Sequence, residues 1–296
     1  MSFFDRLSLA VRSNPLLGRA AISAIPSLPW KIDVRGIGVM SINLRRNRSY
    51  WLRDPLTHET VMLGALRRLI NPGDVVFDAG ANIGMYVRFM IGQFGAGKVI
   101  AFEPTTQNQA LLKRNIRLGN CRDRVQVMKI ALADYDGVDE FQIDDVSSAS
   151  GCLNVVTHGE ASEGHRQYGL PPTTETVTVA RLDTLMDNGA LPIPQVIKID
   201  VEGAEARLLQ GARKLLDRYS PRLAIENHGE DTSRAVVRVL HEAGYHVFGY
   251  LDTHKGRAYQ EILAADVDDI QSLYSLHHCI ASRNREILTA PLDLKF

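Results

Sequence analysis

The sequence predicts an α/β fold built on a doubly wound, mostly parallel sheet with helices on both faces. Three observations carry this. The stretch Val75-Val76-Phe77-Asp78-Ala79-Gly80-Ala81-Asn82-Ile83-Gly84 runs from apolar residues through an acid into a glycine-bearing turn and a helix-compatible segment. A buried parallel strand feeding a ligand-binding turn has this form. Lys98-Val99-Ile100-Ala101-Phe102-Glu103-Pro104 and Gln195-Val196-Ile197-Lys198-Ile199-Asp200 repeat the pattern of an apolar strand that ends on an acid. Strand-like and helix-like patterns also alternate through most of the chain, which argues βα units.

The elements follow in order. Residues 3–11 and 16–25 read as two small helices, with Arg6, Arg12 and Arg19 as basic flanks. Residues 32–44 alternate around Gly36 and Gly38 and predict a hairpin; 45–48 is a short basic cluster expected to be a solvated turn. Residues 57–70 have one apolar face and stop at Asn71-Pro72-Gly73, a helix with its terminator. Strands are expected at 74–78, 99–103 and 124–130, with helices at 83–93 and 106–118 between them. The rhythm breaks at 131–194, where 140–144 and 175–180 look like short strands and 183–186 a short helix. Between them, 147–172 is rich in Ser, Gly and Thr and too long for an ordinary connection, so a lid or binding loop is expected. Regularity returns with a strand at 195–200, a helix at 201–219, a strand at 222–226 and a helix at 232–243. Residues 245–251 and 276–280 are candidates to close the sheet. The division expected is an N-terminal extension at 1–56 and one large domain at 57–296, with an insertion at about 131–195.

Composition narrows the function. Lys and Arg number 34 and Asp and Glu 34, so no global basic field draws nucleic acid to the chain. Cys121, Cys152 and Cys279 are scattered and form no C-x-x-C pair, which argues against a zinc site or a disulfide framework and suits a reducing, cytoplasmic setting. No apolar run approaches the ~20 residues of a membrane span. Asp5, Pro15, Arg19 and Pro26 interrupt the N-terminus, so a cleaved signal peptide is not expected.

Ligands of open α/β sheets bind at the carboxyl ends of the strands. Asp78, Glu103, Asp200 and Glu226 all fall at such ends. One strand-end acid is ordinary, but several around one crevice each cost desolvation unless something meets them. Glu103 ends the second strand, where an acid accepts the ribose hydroxyls of an adenosine; a nicotinamide dinucleotide uses the same device. The turn discriminates. Gly80-Ala81-Asn82-Ile83-Gly84 is G-x-x-x-G and lacks the second glycine that lets a backbone approach a pyrophosphate. With Asp78 just ahead of it, a cofactor without pyrophosphate but with an ammonium fits better, and S-adenosyl-L-methionine is such a molecule. An NAD(P)-dependent oxidoreductase is the alternative. It needs a dyad such as Tyr-x-x-x-Lys after the fourth strand, where Glu202-Gly203-Ala204-Glu205 stands instead. A non-catalytic cofactor-binding module is a further alternative.

From about residue 59 to 226 the sequence resembles the FkbM-type methyltransferases, a branch of the class I S-adenosylmethionine-dependent enzymes. The residues that carry the resemblance are Asn71-Pro72-Gly73-Asp74, the turn Asp78 to Gly84, Ala101-Phe102-Glu103-Pro104, Leu112-x-x-Asn115, Ala131-Leu132-Ala133-Asp134 followed by Gly137, Lys198-Ile199-Asp200-Val201-Glu202-Gly203-Ala204-Glu205 and Ile225-Glu226-Asn227-His228. The resemblance implies a Rossmann-like sheet of seven strands and O-methylation of a sugar, glycolipid or other hydroxylated metabolite. It implies that Gly80, Ala81, Asn82 and Gly84 cradle the methionine part, that Glu103 binds ribose, that Pro104 shapes the adenine side, that Ala131 and Leu132 lie near adenine, and that Asp200 lies near the cofactor amino group or the acceptor hydroxyl. The acceptor is not carried over. It is expected to be set by the N-terminal residues and the 147–172 loop.

A sugar hydroxyl is a poor nucleophile near neutral pH, and a general base contributes ~10²–10⁴-fold. The candidates are His228, Glu226, Asp200 and Glu202, with His228 favoured because imidazole titrates near working pH. Asp200, Glu202, Glu226 and His228 are also hard or borderline ligands for a divalent metal, but no spacing within one element demands an ion and none is predicted. His158 and His165 are expected to be solvated; His277 and His278 face opposite ways on a strand and cannot share an ion. No stable membrane span and no nucleic-acid partner are expected, and the homo-oligomeric state is left open.

Overall fold

The computed structural model describes residues 24–289 except 53, 58, 144–150, 158–172, 190, 254–255 and 269–275. The expected helices at 3–11 and 16–25 and the expected loop histidines His158 and His165 lie outside the described residues, apart from the last two positions of the second helix. The elements are β1 (Pro29–Val34), β2 (Gly38–Asn43), α1 (Ser49–Leu52), α2 (Thr60–Leu69), β3 (Val75–Ala79), α3 (Met85–Gly92), β4 (Lys98–Phe102), α4 (Thr106–Leu118) and β5 (Val125–Met128). The insertion supplies β6 (Ala131–Leu132), β7 (Gly137–Ile143), β8 (Cys152–Leu153), α5 (Asn154–Thr157), β9 (Thr173–Ala180) and α6 (Leu182–Asp187). The chain continues through β10 (Val196–Ile199), α7 (Glu205–Gln210), α8 (Arg213–Tyr219), β11 (Arg222–Glu226), α9 (Glu230–Glu242), β12 (His246–Thr253), β13 (Gly256–Ile262), β14 (His278–Ser282) and α10 (Arg285–Thr289).

The main sheet has the order β13-β12-β14-β11-β10-β3-β4-β5. Strands β11 to β5 in that order run parallel, while β14, β12 and β13 pair antiparallel at one edge. The chain winds outward from β3 in one direction through β4 and β5, and from β10 in the other through β11. The switch point is therefore between β3 and β10, where an open sheet leaves a crevice at its carboxyl ends. The parallel strands are apolar on both faces because both are covered. Val76 and Val99 face Leu63, Leu66, Phe89 and Leu112 of α2, α3 and α4. Phe77, Ile100 and Ile197 face Leu208, Leu215, Val236 and Leu240 of α7, α8 and α9.

The N-terminal hairpin shares the first of these cores through buried Val34, Met40 and Ile42. Asn115, with no solvent exposure, fastens it: its Nδ2 donates to Ser41 O at 2.9 Å and Ile83 O at 2.8 Å, and its Oδ1 accepts from Ser41 N at 2.6 Å. Arg88 adds bonds to the hairpin carbonyls of Val39 and Ile37. Among the described residues, the strands between 131 and 180, where the insertion is expected, form a separate four-stranded sheet in the order β6-β9-β7-β8. Among the described residues no helix is long and apolar enough to cross a membrane.

Several expectations are corrected. Among the described residues the main sheet has eight strands, one more than the resemblance implies, because Gly256–Ile262 pairs with β12 as an extra antiparallel edge. The single helix expected at 201–219 is a turn followed by two helices. Residues 202 and 203 take left-handed φ values of 53° and 95°, and at Gly211 a side chain would overlap the carbonyl oxygen of Ala133, so the helix breaks where the insertion crosses it. The basic cluster is not a solvated turn: Arg46 is 8% exposed and donates to Gln107, and Arg45 Nε donates to Ile25 O at 2.6 Å.

Candidate functional site

The turn from β3 to α3 is shaped by close approach. Gly80 has φ 79°, and a side chain there would overlap the carbonyl oxygen of Asp200 at the end of β10. Only glycine satisfies both conditions. Asn82 sits at φ 48°, a left-handed conformation that asparagine tolerates better than most residues. Gly84, at φ 88°, leads into α3, where a side chain would come within 2.5 Å of Leu112 Cδ1. The N–H groups of Gly80 and Ala81 both donate to Phe102 O, at 3.1 and 2.9 Å, which closes the turn on the end of β4.

That closure places Glu103 beside the turn. Its Oε2 accepts from Asn82 N–H at 3.0 Å, and its Oε1 accepts from the N–H and hydroxyl of Thr105 at 3.0 and 2.7 Å. Burial pushes its pKa up, and these donors hold the rise back. Asn82 Oδ1 is buried without a hydrogen-bond partner, an acceptor aligned with nothing in the chain itself.

A cleft of about 630 Å³, including its open mouth, starts at this turn. Gly80, Asn82, Glu103, Asn108, Asp200 and Glu202 form its polar floor; Phe102, Pro104, Ile130, Ala131, Leu132, Phe141 and Leu153 form an apolar wall. The insertion thus contributes Ala131, Leu132, Phe141 and Leu153. An adenosine carrying a charged amino-acid chain fits this donor set: an apolar slot for a base, a fixed carboxylate for a ribose, and a vacant carbonyl oxygen with a glycine cradle for an ammonium. Of the sequence-predicted cofactor residues, Gly80, Asn82, Glu103, Pro104, Ala131, Leu132 and Asp200 line the cleft. Ala81 and Gly84 shape the turn from behind. Asp78 is a correction: its carboxylate is fully buried and turned to Lys198, so it does not face the cleft.

Lys198, which the sequence reading left unassigned, is the internal cation of the site. Its Nζ lies 3.2 Å from Asp78 Oδ1, 3.1 Å from Asp200 Oδ2 and 2.9 Å from Gly80 O, and 4.8 Å above the Tyr86 ring. Burial works to lower its pKa, but Asp200 and Asp78 outweigh it and hold the ammonium well above its ordinary range. The same burial raises Asp78 despite Lys198. The signal was legible in Val196-Ile197-Lys198-Ile199: a lysine inside an otherwise apolar buried strand has to be paired.

Asp200 and Glu202 make part of the cleft acidic. β10 delivers Asp200, the left-handed turn after it delivers Glu202, and the loop after β11 delivers His228. His228 Nε2 is 3.9 Å from Asp200 Oδ1 and 3.6 Å from Glu202 Oε2. Its Nδ1 lies 2.8 Å from Glu205 Oε1, and a carboxylate only accepts, so Nδ1 carries the proton. Burial works to lower the His228 pKa, but the bond to Glu205 and the charges of Glu202, Glu205 and Asp200 raise it to about 10. Burial likewise lifts Glu202 to about 8, against the pull of His228. Asp200 is raised by burial with Lys198 opposing. Glu226 does not join the group directly: it meets His278 Nε2 at 3.4 Å, and this contact overcomes burial and holds its pKa below the ordinary value. Three of the four predicted catalytic residues, Asp200, Glu202 and His228, therefore come together, with ligand-bearing atoms all within 4.8 Å of one another.

Glu205 and His278 were missed as site residues. Glu205 opens a helix, where an acid is explained by the dipole alone. A further missed group is Glu59, at the start of α2, which accepts from Tyr86. Burial raises it to about 7, with Glu226 and Asp200 adding to the rise and Tyr86 opposing it.

Comparison with known proteins places these residues in context. The family model described as the methyltransferase FkbM domain matches residues 78–247, which contain the turn, Glu103, Lys198, Asp200 and His228. The 31-O-demethyl-FK506 methyltransferase FkbM of Streptomyces tacrolimicus is 31% identical over 209 residues, 62% of this chain and 76% of that protein. The hexuronic acid methyltransferase AglP of Haloferax volcanii is 26% identical over 193 residues, 65% of this chain and 72% of that protein. The crystal structure of methyltransferase FkbM from Methylobacillus flagellatus KT superposes with a TM-score of 0.43 at 15% identity, covering 77% of this chain and 60% of that one.

Proposed function

This chain belongs to the methyltransferase FkbM domain family, and from that premise we propose that it transfers a methyl group from S-adenosyl-L-methionine to a hydroxyl oxygen of a sugar, glycolipid or secondary metabolite. The observation that carries the reading is a cleft lined both by Glu103 and Asn82, a fixed carboxylate and an open acceptor, and by Asp200 and Glu202, with His228 set against the last two. The two named relatives methylate, by their names, a demethylated natural product and a hexuronic acid, which supports an oxygen acceptor of this class.

Held by Glu103, Asn82 and the turn at Gly80, the cofactor would supply an electrophilic methyl on a positively charged sulfur, the C–S electron pair going to sulfur as the acceptor oxygen gains the C–O bond and S-adenosylhomocysteine being left. The chain's own work is placement and proton handling. Glu103 and Asn82 hold the adenosine and amino ends, and Gly80 lets the backbone come close. Asp78 acts through Lys198, which fixes Asp200. Alignment of acceptor oxygen, methyl carbon and sulfur is the main demand, and orientation is worth several kcal/mol. The hydroxyl proton passes to the Asp200 carboxylate, while Glu205 holds the His228 imidazolium beside it. Phe141, Leu153 and the rest of the apolar wall shield the adenosine side of the cleft from water. The reading is tested by incubating the full chain with methyl-labelled cofactor and a panel of glycans, uronic acids and hydroxylated natural products. Label in an alkali-stable ether supports it; label only in nitrogen or carbon acceptors contradicts the oxygen assignment.

A further inference from the structure

We propose that Asp200, Glu202 and His228 form a binding site for one divalent cation of the Mg²⁺ or Mn²⁺ class, where Asp200 and Glu202 line the cleft. The placement beside the acceptor rests on the methyl-transfer reading above; the site itself rests on the side chains.

The donor set is mixed, with two carboxylates and one imidazole from three separate segments. One ligand atom from each lies within 4.8 Å of the other two. The separations of 3.6 Å between His228 Nε2 and Glu202 Oε2 and 3.9 Å to Asp200 Oδ1 fall in the interval expected of atoms sharing one ion. Octahedral ligands at about 2.1 Å stand roughly 3 to 4.2 Å apart. Three protein ligands leave positions open for water or a substrate oxygen, as at catalytic metal centres.

The surroundings independently favour a cation. His228 is oriented as a metal-ligating histidine is: Nδ1 is held by Glu205, and Nε2, whose proton a bound cation would displace, faces Asp200 and Glu202. The orienting residue, Glu205, has no solvent exposure, and its second oxygen is buried without a hydrogen-bond partner. Negative charge is also in excess. Asp200, Glu202 and Glu205 converge on one imidazole, while Lys198 is divided between Asp200 and Asp78. Glu202 holds a left-handed φ of 53° to reach its place; for a residue that is neither glycine nor asparagine such strain costs of order 1–3 kcal/mol and persists where function requires it.

The experiment uses the full chain, freed of metal with a chelator, with Mn²⁺ alone as the probe. Loss of the free Mn²⁺ paramagnetic resonance signal and calorimetry should report one site per chain with a dissociation constant below about 1 mM (an affinity stronger than roughly 4 kcal/mol). Glu202→Gln and His228→Gln should each weaken it at least tenfold, while circular dichroism and thermal unfolding of the same samples report that they are folded. No Mn²⁺ uptake in a protein that still binds S-adenosylhomocysteine overturns the cation site and leaves the methyl-transfer reading standing. Uptake unchanged in both variants also overturns it. Uptake lost in the variants of a protein that does not bind S-adenosylhomocysteine supports the site and removes the methyl-transfer reading instead.

Discussion

The ammonium of Lys198 and the carboxylate of Asp78 stand 3.2 Å apart with no solvent exposure on either side chain. A buried pair of this kind is weak support for stability while intact, but removing one partner strands a charge. Lys198→Met leaves Asp78 and Asp200 facing each other and should lower the unfolding free energy by about 3–5 kcal/mol at neutral pH. Denaturant unfolding measures it; a loss below about 1 kcal/mol shows that the pair is not the internal brace of the site.

Gly80 is pinned between its left-handed backbone and the carbonyl oxygen of Asp200. Gly80→Ala should abolish detectable S-adenosylhomocysteine binding, because the turn has to move off β10 to admit the methyl group. Binding within threefold of the parent protein would mean that the turn is not the cradle.

Glu103→Ala removes a carboxylate that accepts from Asn82 and Thr105. Cofactor affinity should fall by about 1.5–3 kcal/mol, the scale of hydrogen bonds to a charged group. Unchanged affinity in a folded variant rejects the ribose assignment.

Much of this was legible in the sequence. The alternation of apolar strands and helices located β3, β4, β10 and β11, and strand-end acids next to a glycine turn located the crevice. What escaped was long-range. His228 and Glu205 are 23 positions apart in the chain and meet only because β10 and β11 lie side by side. Glu202 follows a strand at a left-handed turn that helical periodicity does not register. The break at Gly211 depends on the carbonyl of Ala133, on another element. Edge strand β13 has a solvent-facing alternation too weak to separate it from a loop.

His228→Ala should lower turnover by about 10²-fold or more, while changing cofactor affinity far less, since the cleft lining around Glu103 and Asn82 is left intact. A matched loss of both would place His228 in cofactor binding; turnover near that of the parent removes it from the reacting group.

Glu175 ties the insertion to the main sheet: it accepts from Thr106 N–H at 3.0 Å and pairs with Lys129 at 2.9 Å. Burial alone would raise its pKa, but the Thr106 and Lys129 contacts prevail and hold it below 4.5. A depressed carboxylate contributes stability that is complete above 4.5 and is lost as pH falls toward the lowered value. Thermal unfolding should find Glu175→Gln less stable by about 0.5–1 kcal/mol near neutrality, with the gap closing on acidification. A gap that widens in acid has the wrong sign for this contact.

The central claim is that this cleft holds S-adenosylmethionine, and calorimetry of the full chain with S-adenosylhomocysteine and with NAD⁺ tests it most directly. The account predicts one S-adenosylhomocysteine bound per chain with an affinity of order 1–100 μM and no heat with NAD⁺; saturable binding of NAD⁺ with none of S-adenosylhomocysteine would contradict it.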